Sequence, residues 1–160
     1  YAEVLGHGTG NEGGFGNKMN AAELALTEAI VSALANSDLS PTDIDYVNAH
    51  GNSLPDYDLI ETRAFRLAFG QAAYCIPTSS IKSMIGHAMG AASAFQIAAS
   101  CLTLEHSTIP PTINYEVPDP ECDLDYVPNV ARTSRVRTVL INAHAMGGTH
   151  SVLVLRKPEP

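Results

Sequence analysis

Basic side chains are scarce in this chain: nine Lys and Arg stand against 17 Asp and Glu, a formal net charge of -8. That deficit excludes non-specific nucleic-acid binding, which needs a cationic surface, and keeps the protein apart from anionic membranes. Cysteine is scarce as well. Cys75, Cys101 and Cys122 are odd in number and widely spaced, so neither a zinc knuckle nor a redox pair is present. Buried, inert thiols in a reducing cytoplasm are the expectation. The opening Tyr1-Ala2-Glu3-Val4-Leu5 lacks the basic n-region of a signal peptide, and it lacks an initiator Met. A cleaved, split or excised part of something longer is therefore expected. What remains is ample for one folded domain: 45% of the 160 residues are hydrophobic and 16% charged.

Periodicity divides the chain into alternating elements. Ala2 to Leu5 reads as a strand entering a glycine-rich loop, Gly6 to Gly16. A helix follows, capped by Asn20 with Glu23 in the reciprocal position, its apolar stripe made of Leu24, Ile30, Val31 and Leu34. Ile44 to Asn48 is a short strand ending at Ala49-His50-Gly51. Pro55 and Asp56 open a second helix carrying Leu59, Ile60, Ala64, Phe65, Leu67 and Phe69. Tyr74 to Ser79 is the next strand. Gly86 to Glu105 is helical and nearly apolar all round. His87, Gln96 and Glu105 and the weak hydrophobicity of alanine speak against a membrane span, so a helix buried between protein layers is expected. Pro110-Pro111 ends it, an irregular excursion runs from Asn114 to Asn129, and Arg135 to Ile141 with Ser151 to Leu155 form an antiparallel hairpin. The order β-α-β-α-β-α-β-β predicts an α/β fold with a layered sheet.

Reactive groups in such sheets gather beyond the carboxyl ends of strands. Three ends carry unusual residues: His50; Lys82 and His87; and the run His144-Ala145-Met146-Gly147-Gly148-Thr149-His150. Taken singly each has a bland explanation, a solvated lysine or a capping histidine. The run Gly8-Thr9-Gly10-Asn11-Glu12-Gly13 satisfies the dinucleotide-binding G-x-G-x-x-G pattern. However, the helix starts too late to face a pyrophosphate, and Glu12 would repel one. A metal site from His50, His87, His144 and His150 lacks any H-x-x-x-H pair or acid–histidine cluster, so no metal is predicted.

The wording at these ends is more specific than its spacing. Val47-Asn48-Ala49-His50-Gly51 resembles the first histidine motif of β-ketoacyl synthases. Ser80-Ile81-Lys82-Ser83-Met84 with Gly86-His87 resembles their lysine and second-histidine motif, in a form close to dissociated polyketide synthases. Ile109-Pro110-Pro111-Thr112-Ile113-Asn114, the segment from Asp119 to Asn129, and Gly147-Gly148-Thr149 follow in the family's order across nearly the whole chain.

The resemblance implies a thiolase-like layered fold, of which residues 1–160 are the C-terminal half. It implies His50 and His87 as oxyanion donors, Lys82 as their electrostatic partner and Glu61 as the carboxylate paired with Lys82. Asn52, Met146, Gly147 and Gly148 are implied at the substrate. The nucleophilic cysteine matches none of the three present and belongs to an N-terminal half. No cofactor is implied, because phosphopantetheine arrives on the carrier protein. The implied partners are that N-terminal half, an acyl carrier protein and a second ketosynthase unit in a homodimer or heterodimer. Leu54 and the run His144-Ala145-Met146 depart from the family pattern at the pantetheine arm and the acyl gate. A non-catalytic chain-length-factor-like partner and an acyltransferase that does not decarboxylate are the rival functions.

Overall fold

The computed structural model describes residues 1–13 and 19–159. Strand β1 spans Glu3–Asn11, helix α1 Met19–Asn36, strand β2 Tyr46–Asn48 and helix α2 Pro55–Phe69. Strand β3, Thr78–Ser79, leads into the short helix α3, Lys82–Ile85, and then into α4, Ala92–His106. Strands β4, Thr108–Ile109, and β5, Arg132–Thr133, form a small antiparallel ribbon. The final hairpin is β6, Thr138–Ala145, and β7, Thr149–Arg156. The main sheet runs β1-β7-β6-β2-β3, with β2 parallel to both β3 and β6 and the other pairs antiparallel.

Alternation along the strands sends residues to two opposite cores. Val47, Leu140, Val152 and Val154 meet α1 and α2 through Leu26, Ile30, Phe65 and Phe69. Tyr46, Val139, Ile141 and Leu155 face the other way, onto Leu104 of α4 with Ile109 and Val136. Helices thus lie on both faces of one sheet, the layered α/β architecture the sequence predicts.

Several elements differ from the sequence reading. The glycine run is mostly strand, since β1 continues to Asn11; residues 14–16 of the expected loop lie outside the described residues, and Asn20, expected to cap the first helix, lies inside α1. The glycines serve close packing rather than phosphate. A Cβ on Gly8 would stand 2.0 Å from the Ala29 carbonyl oxygen, and one on Gly10 equally close to that of Ala25. Accordingly α1 buries its small stripe, Ala22, Ala25, Ala29 and Ala33, and leaves Leu24 and Val31 exposed. Gly8→Ala is expected to cost about 3 kcal/mol by overpacking two backbones, read as a lower urea midpoint; an unchanged midpoint would refute the packing argument.

The third predicted strand shrinks to Thr78–Ser79, because Gly70–Tyr74 coils into a 3-10 turn. Cys75 is therefore exposed rather than buried in a strand, and Cys101 and Cys122 are half-buried. The long apolar helix begins later than the expected Gly86, at Ala92: Gly86 takes φ +76° after α3, and a 3-10 turn at Met89–Ala91 precedes α4. Only one side of α4 is buried, through Ala92, Gln96, Ser100, Thr103 and Leu104, while Phe95, Ile97 and Leu102 stand exposed on the other. Among the described residues, no helix is long and apolar enough to cross a membrane.

Candidate active site

Strand β2 delivers His50 just beyond its carboxyl end, and the geometry there is set by Glu61. This carboxylate, on the inward face of α2 and 3% exposed, accepts the His50 backbone N–H at 2.8 Å and the Gly51 N–H at 2.7 Å. The Asn142 amide on β6 donates to it at 2.7 Å, and His144 Nε2 lies 3.6 Å away. Burial alone would raise the Glu61 carboxyl, but hydrogen bonding and charge from His144, His50 and Asn142 outweigh it and hold it at about 2. Gly51 needs its missing side chain: φ is +41°, and a Cβ would meet that of Ser80 at 2.5 Å.

Lys82 does not pair with Glu61 as the sequence suggested. Its ammonium donates instead to the His50 carbonyl at 2.6 Å, from a largely buried position at the start of α3. Ser80 Oγ adds a bond to the same carbonyl at 3.2 Å. Glu61 therefore holds the N–H of His50 and Lys82 holds its C=O, and the two charges clamp one residue's backbone from either end. Burial lowers the Lys82 ammonium from its ordinary range, and Glu61 and Asp58 resist that shift.

His87 follows the break at Gly86 and comes to His50 across the sheet end, with ring centroids 5.3 Å apart and planes at 79°. Both rings are fixed by backbone donors. The His144 N–H donates to His50 Nδ1 at 3.3 Å, and the Met89 N–H donates to His87 Nδ1 at 3.1 Å. An N–H can only donate, so each Nδ1 is an acceptor, and in the neutral ring the proton sits on Nε2. Burial drives the His50 imidazole down to about 3, with only Glu61 pulling the other way. His50 is thus neutral at physiological pH, with one N–H to offer.

The sequence reading underweighted the imidazoles of the hairpin. His144 and His150 pair across β6 and β7 with centroids 4.8 Å apart, and His144 also stands 4.7 Å from His50. Their signal in the sequence was the spacing of six about a Gly-Gly pair, which puts residues equidistant from a hairpin turn onto one face. Asn142 and Gln96 were also missed. The Gln96 amide nitrogen on α4 donates to Asn48, Ala49 and Asn142 carbonyls at 3.2, 3.0 and 3.1 Å, tying the ends of β2 and β6 to the helix. Among the described residues, no group of three metal-ligating side chains has the geometry to hold an ion.

The family model for the beta-ketoacyl synthase, C-terminal domain, matches residues 1–116. The chain belongs to this family. It is 50% identical over 159 residues to the tetracenomycin polyketide synthase ketoacyl synthase alpha subunit of Streptomyces glaucescens, covering 99% of this chain and 37% of that protein. It is 41% identical over 157 residues to 3-oxoacyl-[acyl-carrier-protein] synthase 2 of Coxiella burnetii, covering 98% of this chain and 38% of that one. A solved ketosynthase, in complex with a type II polyketide synthase acyl-carrier protein and bound to the hexaketide, superposes with TM-score 0.92 at 38% identity, covering 99% of this chain and 39% of that chain. The chain spans less than two-fifths of the length of these relatives.

In this ketosynthase domain, the residues expected at the substrate lie on the segments that follow His50 and His144 in the chain. Asn52 uses its side-chain oxygen to accept the Leu54 N–H at 3.1 Å, a turn leading into α2, which leaves its amide NH2 as donor. Met146, Gly147 and Gly148 form the β6–β7 turn, with Met146 91% exposed at its tip. A cleft of about 550 Å³ lies behind the clamp, walled by Asp58, Glu61, Ser80, Lys82, Tyr115 and Tyr126 rather than by His50 and His87.

The shifted groups give the ketosynthase domain a defined acid response. Between pH 6.5 and about 3 the unfolded chain protonates His50 while the folded domain does not, so stability is full above 6.5 and falls as pH falls. Glu61 acts with the same sign between 4.5 and about 2. Asp58, which burial and then Glu61 push up to about 6, works in the opposite sense. His50→Gln removes one contribution. Its urea midpoint is expected to fall less steeply than that of the natural protein from pH 6.5 to 4.5; equal slopes would contradict the assignment.

Proposed function

We propose that this chain is the C-terminal half of a β-ketoacyl synthase that performs decarboxylative Claisen condensation in polyketide or fatty-acid biosynthesis. The observation that carries the reading is the pair of adjacent imidazoles, each with Nδ1 occupied by a backbone N–H and Nε2–H left to donate. Loss of carbon dioxide from a malonyl thioester moves the C–C electron pair onto the α-carbon and thioester oxygen. The two Nε2–H groups converge on that oxygen as its charge develops, and preorganised donors of this kind act where the charge appears. The α-carbon then attacks the carbonyl of an acyl group carried on a cysteine of the N-terminal half. A C–C bond forms, the C–S bond breaks, and the released thiolate takes up one proton.

Glu61 and Lys82 position His50 through its backbone rather than meeting substrate, and Asn52 with the Met146 turn borders the entering pantetheine and acyl chain. Partners follow from this reading: the N-terminal half, which supplies the thiol and covers the exposed side of α4; an acyl carrier protein; and a second ketosynthase unit, identical or related. Retention of both histidines and the lysine weighs against a non-catalytic chain-length-factor-like role. The test uses the full-length protein with malonyl-carrier protein and an acyl donor. Carbon dioxide release matched one-to-one by β-ketoacyl product is expected; acyl transfer without carbon dioxide release would overturn the reading in favour of a plain acyltransferase.

A further inference from the structure

At the end of β1 a residue outside the imidazole pair grips the final hairpin in two places. The Glu12 N–H donates to the Gly148 carbonyl at 2.9 Å, and Glu12 Oε1 lies 2.9 Å from His150 Nε2. His150 is 1% exposed, and a Cβ on Gly148 would run into the Glu12 side chain at 2.9 Å, so turn and carboxylate are in full contact. Asn11 Nδ2 adds a bond to Thr149 Oγ1 at 3.3 Å.

The hairpin carries this grip inward. His150 stands directly opposite His144 in the β6–β7 ladder. Because the His144 N–H points to His50 rather than across to β7, this is a non-hydrogen-bonded pair, the kind whose side chains stand closest. Their rings accordingly meet at 4.8 Å. The same His144 N–H fixes the protonated nitrogen of His50. An unbroken line of contacts therefore runs from Glu12 to His150, to His144, to His50.

We propose that Glu12 and His150 are positioning residues for the condensation: by pinning the β6–β7 turn they hold the His144 N–H on His50 Nδ1, and so keep the His50 proton on Nε2, where the oxyanion forms. This rests on the condensation reading for its chemistry but not for its geometry. The rigid spacing matters because displacing a catalytic group by about 1 Å can cost up to 100-fold in rate.

The experiment uses full-length protein labelled with nitrogen-15 at histidine, with the His50 signals assigned through His50→Gln. In the natural protein His50 should show an unprotonated Nδ1 and a protonated Nε2. Glu12→Ala should mix the two tautomers and lower kcat for malonyl decarboxylation roughly tenfold at unchanged KM. Glu12→Gln keeps an acceptor oxygen for His150 and should recover most of the lost rate. If Glu12→Ala does not fold, His150→Phe keeps an aromatic ring, removes the hydrogen bond with Glu12, and should show the same losses. Wild-type His50 signals and kcat in Glu12→Ala would overturn the proposal, as would a protonated Nδ1 in the natural protein. A tautomer that responds to Glu12→Ala in a protein releasing no carbon dioxide would sink the condensation reading and leave the positioning role standing.

Discussion

Replacing His50 by alanine in the full-length protein is expected to lower decarboxylation of a malonyl thioester at least 100-fold, while the cysteine of the N-terminal half still takes up its acyl group. His87→Ala should do the same. The size follows from what is lost: one of two preorganised N–H donors facing a developing oxyanion, a loss of about 100-fold to 1,000-fold in comparable sites. Self-acylation survives because it requires the thiol rather than either oxyanion donor. The double variant should fall short of the product of the single effects, since both donors serve one oxygen. Radiolabelled acyl transfer to protein and carbon dioxide release measured on the same preparations separate the two steps. Turnover within threefold of the natural protein in either single variant would remove that histidine from the proposed pair.

The second large effect is on stability. Glu61→Ala strips the acceptor from the His50 and Gly51 N–H groups and from the Asn142 amide at once, and leaves Lys82 buried with less opposing charge. Breaking a buried charged contact of this kind costs about 3–5 kcal/mol. Glu61→Gln, although nearly the same shape, should recover little. It offers one acceptor oxygen where two are used, and its NH2 would face the backbone N–H of His50 or Gly51, donor against donor. Denaturant melts of the three proteins provide the check. If Glu61→Gln matched the natural midpoint, the carboxylate would not be the hub described.

Legibility from sequence was uneven, for reasons that differ from residue to residue. The α/β order and the layered sheet were visible because alternation in β6 and β7 and the strand-end positions of His50 and Lys82 are local patterns. Boundaries in β1 were not, because glycine in a strand looks like loop until the helix packed against it is known; Gly8 meets Ala29 and Gly10 meets Ala25, residues well separated in the chain. The late start of the buried helix, at Ala92 rather than Gly86, was hidden by Ala88, Ala91 and Ala92, whose helix propensity is high. Glu61 was singled out and does meet His50, yet its expected partner Lys82 was misjudged. A sequence suggests that opposite charges meet, whereas the chain offers peptide groups that compete for them, and the His50 backbone won both. His144 was noticed at a strand end and as a departure, but not as the partner of His50 and His150, since its cross-strand neighbour depends on register, which no single residue announces.

That register places an unusual demand on the turn between β6 and β7. Strand residues alternate faces, so one residue inserted or deleted between His144 and His150 would swing one imidazole to the opposite side of the sheet and part it from its fellow. At the tip Met146 meets solvent, while Gly147 and Gly148 take φ +94° and +75°, and a Cβ on Gly148 would meet Glu12. Variants of this domain are thus expected to keep the length of this turn quantised.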